Sequence, residues 1–476
     1  MADAATSITR TLGTPTDLDK WTMSCWIKRS RLGQMEYMMQ GKNAGTTFSG
    51  IRFNSDDTLD FFNRTSGTYN GQLVTTGKYR DPSAWMNIVA VWDSDNVTAG
   101  DRMKLYVNGV EPLFSTDTNP SSGQASYVAS GDVFWVGANG PSSDMWNGMM
   151  SHVQFVDGAA LAATEFGSFD STSGIWKLKT SCYATPGNNG FCMKMEDPTN
   201  MDLDSSSNAH TFTTAGTLTN TLDNPSNNFS TLSCLNAVGA SSSNLQPTVA
   251  MNGGNRCYNS GDLTAGNNMV MRRGKWYWEL YYNAAISTRN MGITRADMWW
   301  RHDAILYPPG ANLSSGTPNT ICYAPQYGRC AQDDKTDTIS YLSTSLTTDG
   351  SSGFHWIGYY LDMDNGKIAF TFDGALTPSA TSFDLPNWAD GDWSDLGAMV
   401  CARMDNISAS SAYDAFFNFG SGTYGAAVLT GSEDSDWYAD EGGLGKFKYN
   451  PTQTIDSVTW NARALCTKNI KLYNGI

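Results

Sequence analysis

Two aromatic segments near the middle of the chain constrain its fold more tightly than any other feature. Gly274–Tyr281 reads Gly-Lys-Trp-Tyr-Trp-Glu-Leu-Tyr, with apolar or aromatic residues at every second position. A period of two predicts a β-strand with one buried face, and we expect Trp276 and Trp278 in the core. Ile357–Gly374 holds the turn Asp364–Gly366 between two such runs. Asn and Gly tolerate positive φ, so this segment predicts a β-hairpin.

Composition extends this prediction to the whole chain. Of 476 residues, 40% are hydrophobic, 12% are aromatic and only 16% are charged. Abundant Gly, Ser, Thr, Asn and Asp disfavour long helices and favour strands joined by tight turns. We expect an all-β protein with two antiparallel β-sandwich (jelly-roll) domains in tandem, a short polar connector and a C-terminal tail. The predicted boundaries are residues 1–196, 197–227, 228–430 and 431–476.

The aromatic strand and the hairpin have further segments around them that match a known family. Met291–Thr294 follows the strand, and Phe416–Gly420 lies near the end of the region. In this order the set resembles the SPRY domain over roughly residues 228–425. The resemblance implies a bent antiparallel sandwich that serves as a binding module and has no enzymatic role.

The N-terminal third contains a different series of strand patterns. The segments are Trp21–Lys28, Trp85–Trp92, Leu105–Gly109 and Gly148–Gly158, followed by a short helical turn predicted at Ala160–Gly167. The series resembles the laminin-G-like, or concanavalin A-like, jelly roll. That resemblance implies a two-sheet sandwich, glycan binding and, in some members, calcium.

The connector and the tail resemble segments that accompany SPRY domains in structural proteins of marine bacteriophages. The residues concerned are Leu222–Phe229, Gly445–Pro451 and Ala464–Ile470. The resemblance implies a virion protein, made in the host cytoplasm, with other virion proteins and a host-surface glycan or protein as partners. A homo-oligomer is expected, with a trimer favoured. We favour a tail fibre, spike or tip protein. A head decoration or capsid fibre protein is the alternative, and a lectin-like or glycan-degrading protein made by a cell is the second alternative.

Charge and hydropathy exclude two classes of partner. The formal net charge is −15 and the sequence pI is about 4.6, which disfavours nucleic-acid binding because phosphate contacts need Lys and Arg. No apolar run approaches the roughly 18 residues of a membrane span, so we expect no membrane insertion. The first residues lack the basic and apolar parts of a secretory signal, so we expect synthesis without conventional export.

The acidic and histidine residues do not form a catalytic pattern. Glycan-cleaving jelly rolls need two carboxylates flanking the sugar bond, usually in a Glu-x-Asp-x-Glu strand. None of the seven glutamates lies in such a pattern, and Glu279 is expected to be structural. No Gly-x-Ser-x-Gly sequence accompanies the four histidines. We therefore expect no enzymatic activity.

Metal binding is restricted to two acidic loops. Asp93, Asp95 and Asp101 could offer oxygen ligands to calcium, although an acidic hairpin loop is the favoured interpretation. The acidic residues between Glu433 and Glu441 are interpreted in the same way. No other cofactor is expected.

Nine cysteines include two closely spaced pairs. Cys182 with Cys192, and Cys322 with Cys330, could close short disulfide loops. For a protein made in a cytosol, buried or free thiols are the favoured interpretation.

The candidate binding residues lie in the loop-rich stretch between the SPRY-like strands. Exposed aromatic side chains with Arg are typical interface anchors and sugar-stacking platforms, and sandwich loops often carry the binding surface. Burial under the same long loop is the alternative, at equal weight. The candidates are Trp299, Trp300, Arg301, Tyr307, Tyr323 and Tyr327.

Overall fold

A computed structural model divides the chain into two compact units, Met1–Asn220 and Thr221–Ile476. The structure describes residues 6–130, 133–141, 143–239, 255–258, 263–283, 289–296, 320–324, 329–333, 339–343, 354–377, 381–385, 388, 392–404, 414–424, 427–433 and 436–474. Both units are built from antiparallel β-sheets, which confirms the all-β prediction.

The N-terminal unit is a sequence of short strands with three single helical turns among its described residues. Its strands are β1 (Ser7–Thr11), β2 (Lys20–Arg29), β3 (Glu36–Ala44), β4 (Thr47–Phe53), β5 (Thr58–Thr65), β6 (Thr68–Lys78), β7 (Met86–Asp93), β8 (Met103–Val107), β9 (Phe114–Thr118), β10 (Val133–Val136), β11 (Gly148–Asp157), β12 (Gly167–Phe169), β13 (Trp176–Leu178), β14 (Phe191–Met193) and β15 (Thr213–Ala215). The helical turns are Ala99–Asp101, α1 (Tyr127–Ser130) and Ala163–Glu165. The predicted turn at Ala160–Gly167 is therefore present, and it is not alone.

Two sheets form the sandwich of this unit. One has eight strands in the order β15-β1-β10-β3-β4-β5-β6-β9, and the other has five in the order β14-β11-β2-β7-β8. Alternate residues of each sheet point inward and build a core that includes Trp21, Trp92, Phe61 and Phe155. Trp21 stacks on Trp92 with ring centroids 6.4 Å apart and meets Phe61 edge-on at 5.5 Å. Large rings on facing strands thus fill the space between the sheets.

The outer face of the five-stranded sheet is covered by the hairpin of β12 and β13. Trp176 of that hairpin packs with Trp26 and Val89 of the sheet. Its indole Nε1 donates a hydrogen bond of 3.1 Å to Oδ1 of Asn87, so the buried polar group is satisfied. This sheet is therefore buried on both faces.

One cysteine pair is joined in this unit. Cys182 and Cys192 form a disulfide across a sequence separation of 10 residues, so the preference for thiols was wrong for this pair. Cys25 is a buried thiol, as are Cys401 and Cys466 in the other unit. The side chains of Cys322 and Cys330 lie outside the described residues.

The C-terminal unit is also mostly strands over its described residues. They are β16 (Leu232–Gly239), β17 (Arg256–Tyr258), β18 (Leu263–Asn267), β19 (Lys275–Asn283), β20 (Arg289–Arg295), β21 (Thr320–Ala324), β22 (Arg329–Asp333), β23 (Ile339–Ser343), β24 (Phe354–Asp362), β25 (Lys367–Phe372), β26 (Ala375–Thr377), β27 (Phe383–Asp384), β28 (Ala398–Met404), β29 (Asp414–Asn418), β30 (Thr423–Tyr424), β31 (Ala427–Val428), β32 (Tyr438–Ala439), β33 (Lys446–Phe447), β34 (Thr452–Ile455) and β35 (Val458–Asn461). Its helices are α2 (Asp392–Leu396) and α3 (Thr467–Asn474).

A seven-stranded sheet, β16-β18-β28-β20-β21-β22-β23, packs through a common core with a second sheet whose main path is β17-β29-β19-β24-β25-β26. We call the second one the six-stranded sheet. The aromatic strand is β19, and β24 with β25 forms the predicted hairpin. Trp276 and Trp278 are fully buried in the core between the sheets, as predicted. Gly366 takes φ +66° in the hairpin turn, where a Cβ would come within 2.0 Å of the Trp388 ring.

From Trp276 to Leu280 the strand β19 is buried on both faces, whereas its pattern predicted one buried face. The tail packs over the outer face, where Phe447 and Trp460 join Tyr277 and Tyr360 in a second buried cluster. The Phe447 and Tyr277 rings meet edge-on with centroids 4.8 Å apart. The C-terminal tail is thus a structural layer of this unit.

Glu279 fastens the tail to the sheet. Its buried carboxylate accepts hydrogen bonds from the backbone N–H groups of Lys448 (2.9 Å) and Tyr449 (2.7 Å). The Asn418 amide (3.0 Å) and the Tyr277 hydroxyl (3.1 Å) also donate to it. Burial nevertheless raises the pKa of Glu279 to about 7. The expectation that Glu279 is structural is confirmed.

The helices found in the described parts of both units are short. None has the length and hydropathy needed to cross a membrane.

Candidate functional site

Most of the predicted binding loop lies outside the described residues. This applies to Trp299, Trp300, Arg301, Tyr307 and Tyr327. Tyr323 lies on β21, opposite Met291 on one side and Cys330 on the other, but its side chain is not among those described. The loop therefore remains a prediction.

The candidate calcium ligands do not come together. Asp93 and Asp95 face Lys20 at 4.0 Å and 3.8 Å. Asp101 pairs instead with Lys104 at 3.0 Å. Across the part of the chain that the structure describes, no group of three or more His, Cys, Asp or Glu side chains could hold a metal ion. Each of the three carboxylates thus has a lysine nearby, and the acidic hairpin loop stays the favoured interpretation of this segment.

The second acidic loop is held by internal hydrogen bonds. Asp440 is buried and accepts from the backbone N–H groups of Leu444, Gly445 and Ala464 and from the Asn469 amide. Its carboxylate therefore closes a loop in the tail.

The outer face of the eight-stranded sheet carries a row of cationic and aromatic side chains. Lys42 of β3 lies opposite Phe48 of β4, and Phe48 lies opposite Arg64 of β5. Tyr69 of β6 lies opposite Arg64 and completes the row. Side chains directly opposite on neighbouring strands share a face, and strands are about 4.8 Å apart. The two cations thus flank Phe48 with a backbone separation of roughly 10 Å.

Phe62 is the centre of the aromatic packing on this face. It meets Tyr37, Phe48 and Tyr69 edge-on, with centroids 6.2, 5.6 and 5.6 Å away. The Arg52 guanidinium lies over its ring at 4.6 Å. Phe62 is fully buried although it points away from the core of the sandwich. Arginine side chains and neighbouring rings therefore cover the aromatic surface.

Arg52 has its donors engaged within the protein. Nε and Nη2 donate to Asp60 Oδ2 at 3.1 and 2.8 Å, and Nη1 donates to the Tyr37 hydroxyl at 2.8 Å. Gln72 donates to the other oxygen of Asp60 at 3.1 Å. Burial raises the pKa of Asp60, although the Arg52 charge opposes the shift. Arg52 and Asp60 therefore hold the face together and offer little to a ligand.

Lys42 and Arg64 are different, because neither forms an ion pair within the part of the chain described. The Arg64 guanidinium lies 5.6 Å from the Phe48 ring centroid and 5.4 Å from that of Tyr69. Its Nε is buried and lacks a hydrogen-bond partner. A planar cation held over rings with unused donors is suited to a carboxylate or sulfate.

Next to this row, the outer face has a glycine in place of a larger side chain. Gly50 lies between Gln40 and Phe62 across three strands, and a Cβ there would come within 2.8 Å of the Met39 carbonyl oxygen. Gln40 is fully buried and donates to Asn139 at 2.7 Å, while its Oε1 has no hydrogen-bond partner. The unpaired acceptor is thus buried beside the two cations, which are the partly exposed groups of this face.

Buried carboxylates elsewhere in the unit do not form a hydrolytic pair. Arg29 lies between Glu36 (3.6 Å) and Asp57 (3.2 Å), and all three side chains are buried. Burial raises the pKa of Glu36 to about 7, while Arg29 and Arg31 oppose the shift. Both carboxylates thus contact the same arginine.

A serine, a histidine and a glutamate also meet at a bulge of β11. Ser151 Oγ is 2.7 Å from His152 Nδ1, and His152 Nε2 is 3.6 Å from Glu196. Ser151 and His152 are both buried, and burial lowers the pKa of His152. These two side chains lie out of reach of a substrate, as expected for a packed histidine.

The row of cationic and aromatic side chains was not predicted from the sequence, although an alternating pattern in two strands indicates it. In Thr47–Phe53 and Thr58–Thr65, arginine and aromatic residues occupy alternate positions opposite the core residues. The cross-strand neighbours that join these residues into one row depend on strand register, which the sequence alone does not show.

Comparison with known proteins supports the first sandwich. Residues 3–165 match the model of the concanavalin A-like lectin/glucanases superfamily, and the N-terminal unit is similar to that class over these residues. No curated protein matches the chain.

Three solved structures show weak likeness. Domains LG4-5 of the mouse laminin alpha1 chain share 9% identity over 94% of this chain and 84% of that chain, with a TM-score of 0.27. The SPRY domain of human HERC1 shares 12% sequence identity over 39% of this chain and 96% of that chain, with a TM-score of 0.25. A heptameric pentraxin from Limulus polyphemus shares 18% sequence identity over 35% of this chain and 75% of that chain, with a TM-score of 0.26. Because these TM-scores are low, the likenesses carry no argument about the fold, which rests on the strand pairings of this chain.

Proposed function

We propose that this chain is a non-enzymatic glycan-recognition protein. Its N-terminal unit binds an acidic glycan on the outer face of the eight-stranded sheet. The observation that carries the proposal is the row in which Lys42 and Arg64 flank Phe48 without ion-pair partners among the described residues. The superfamily matched by residues 3–165 contains lectins as well as glucanases, which supports a sugar as the ligand.

Charge favours an acidic glycan over a neutral one. The chain as a whole carries a formal net charge of −15, yet this row has two cations and no acid. A carboxylated or sulfated sugar would pair with the partly exposed Lys42 ammonium and Arg64 guanidinium groups.

Binding without cleavage is supported by the carboxylates of this unit. Glu36 and Asp57 are bridged by Arg29, and Asp60 is committed to Arg52. Incubation with alginate, hyaluronan or chondroitin oligosaccharides should therefore leave them intact. Sugar release that disappears on changing one of these carboxylates would overturn the non-enzymatic claim.

A glycan array tests the proposal directly. The full chain should bind carboxylated or sulfated glycans, and Lys42→Ala with Arg64→Ala should weaken binding by about 10- to 100-fold because charge-assisted hydrogen bonds are lost. Lys177→Ala is the control, since Lys177 lies on β13, which covers the five-stranded sheet. Equal binding by the double variant and the control would reject this site.

For the biological setting, we propose a bacteriophage virion. The support is the resemblance of Leu222–Phe229 and of the tail to virion structural proteins. A tail fibre, spike or tip protein is favoured, with a head decoration or capsid fibre protein as the alternative. A trimer is the expected assembly. A lectin-like protein made by a cell remains the alternative outside the virion.

Antibody-labelled electron microscopy of particles distinguishes these settings. Label on tails supports host attachment, label on capsids supports decoration, and absence of the chain from purified particles rejects a virion protein. Light scattering of the purified chain should give three times the mass of 51.8 kDa if the trimer forms.

A further inference from the structure

An aromatic cluster occupies one end of the outer face of the six-stranded sheet in the C-terminal unit. Tyr281 of β19 lies opposite Trp356 of β24 on one side and Phe416 of β29 on the other. Phe354 and Tyr424 lie next to them and complete the cluster. Because opposite residues share a face, three strands place these rings side by side.

The rings form a continuous surface. Tyr281 stacks on Phe354 with centroids 4.8 Å apart and an interplanar angle of 20°. It lies 4.6 Å from Trp356 and 5.1 Å from Tyr424. Trp356 is buried as the base, Tyr281 and Tyr424 are half-buried, and Phe354 is 45% exposed. The cluster therefore keeps accessible ring surface.

The cluster begins where the tail ends its cover of this face. Tyr277 and Tyr360, farther along the same face, are buried under Phe447. Tyr449 is the last tail residue to approach, and its ring centroid lies 6.5 Å from that of Trp356. One face thus has a covered end and an end with exposed rings.

The chemistry of the cluster suits an uncharged sugar. No charged side chain belongs to it, and the Tyr281 and Tyr424 hydroxyls have no hydrogen-bond partner among the described residues. A pyranose offers a C–H face that stacks on aromatic rings and hydroxyl groups that can bond to tyrosine. A purely apolar partner would bury those tyrosine hydroxyls without compensation. An anionic ligand would find no cation in the cluster.

We propose that Tyr281, Phe354 and Tyr424, supported by Trp356, form a second carbohydrate site that stacks a neutral hexopyranose. The site lies in a different unit from the cationic row and takes a different class of glycan. It does not depend on the N-terminal site. Each unit then has one proposed sugar site.

Titration of the full chain with maltohexaose, cellohexaose and mannohexaose tests the proposal, with calorimetry as the readout. At least one probe should bind with a Kd of about 1 mM or tighter. Tyr281→Ala and Phe354→Ala should each weaken that binding about tenfold, as expected for loss of a stacked ring. Phe169→Ala is the matched control, since Phe169 is 52% exposed in the other unit.

Two further observations separate this site from the cationic row. Raising salt from about 50 to about 500 mM should leave neutral-sugar affinity unchanged, because no ion pair is involved. Lys42→Ala with Arg64→Ala should also have no effect on it. Failure of all three probes to bind at about 10 mM would overturn the proposal. So would unchanged affinity in Tyr281→Ala and Phe354→Ala, or self-association of the chain that these variants abolish.

Discussion

The outer faces of two sheets, one in each unit, both carry aromatic rings but surround them differently. On the eight-stranded sheet, Arg52 and Arg64 lie over the rings, and Phe62 is fully buried beneath them. On the six-stranded sheet, Tyr281 and Phe354 stack on one another and no charged residue intervenes. This difference is the basis for proposing an acidic glycan for the first face and a neutral sugar for the second.

Within each face, some side chains are engaged by other residues of the protein, and similar side chains nearby are not. Arg52 is committed to Asp60, whereas Arg64 lacks an ion pair among the described residues. Tyr277 is covered by Phe447, whereas Tyr281 lies beyond the tail. Similar side chains on one sheet face thus have different roles, and paired substitutions can test each assignment.

The largest expected effect is on the covered end of the six-stranded sheet. Phe447→Ala should lower the free energy of unfolding of the C-terminal unit by about 3–5 kcal/mol, because it removes a buried ring. Phe354→Ala, the same change at the exposed end, should cost about 1 kcal/mol or less. Urea denaturation followed by tryptophan fluorescence measures both. Equal costs would contradict the assignment of covered and exposed ends.

The next effect concerns the two arginines of the eight-stranded sheet. Arg52→Ala should destabilise the N-terminal unit by about 3 kcal/mol, because Asp60 is left buried without its charge partner. Arg64→Ala should cost about 1 kcal/mol or less, while weakening acidic-glycan binding. Thermal unfolding and glycan binding, measured on both variants, check the contrast. A stability loss of the same size for Arg64→Ala would make that residue structural.

The third effect, smaller for each pH unit than the losses above, is a pH dependence carried by one buried carboxylate in each unit. Glu36 and Glu279 both have a folded-state pKa of about 7, raised from 4.5 by burial. In this pH range the folded state therefore binds more protons than the unfolded state. The contribution of each group to the free energy of unfolding falls as pH rises from about 4.5 to about 7, and it then levels off. The slope should be on the order of 1 kcal/mol per pH unit for each group.

Glu279→Gln tests this sign in the C-terminal unit. The variant should be less stable, because an amide cannot accept from all four donors, but its unfolding free energy should lose the slope between pH 5 and pH 7. The unfolding free energy of the N-terminal unit should still fall between pH 5 and pH 7, since Glu36 is unchanged. A slope of opposite sign in the wild-type chain would contradict the raised pKa values.

Local patterns were enough to predict the strands and the cores. The Asp364–Gly366 turn and the alternation around Trp276 identified the hairpin and the buried tryptophans, because turn chemistry and period two are local properties. The second buried face of β19 was missed. Phe447 lies 170 positions after Tyr277, and nothing local marks such a contact.

The candidate sites were harder to predict for a related reason. Phe48 and Phe62 resemble core residues in sequence, and the registers of neighbouring strands show that they point outward. The alternation around Trp276 placed Tyr281 on the opposite face, but its neighbours there come from distant strands. The Cys182–Cys192 disulfide was considered and not favoured, because spacing alone does not determine whether a pair is oxidised. Asp95 and Asp101, which are close in sequence, contact different lysines, and nothing local in the sequence indicates those pairings.

The salt dependence of acidic-glycan binding tests the central claim most directly. Titration of the full chain with an acidic oligosaccharide should give an affinity that falls steeply between about 50 and about 500 mM salt, as expected when Lys42 and Arg64 contact the ligand. The Lys42→Ala, Arg64→Ala double variant should bind weakly at both concentrations. Salt-insensitive binding, or a double variant that retains the wild-type affinity and salt response, would contradict the account.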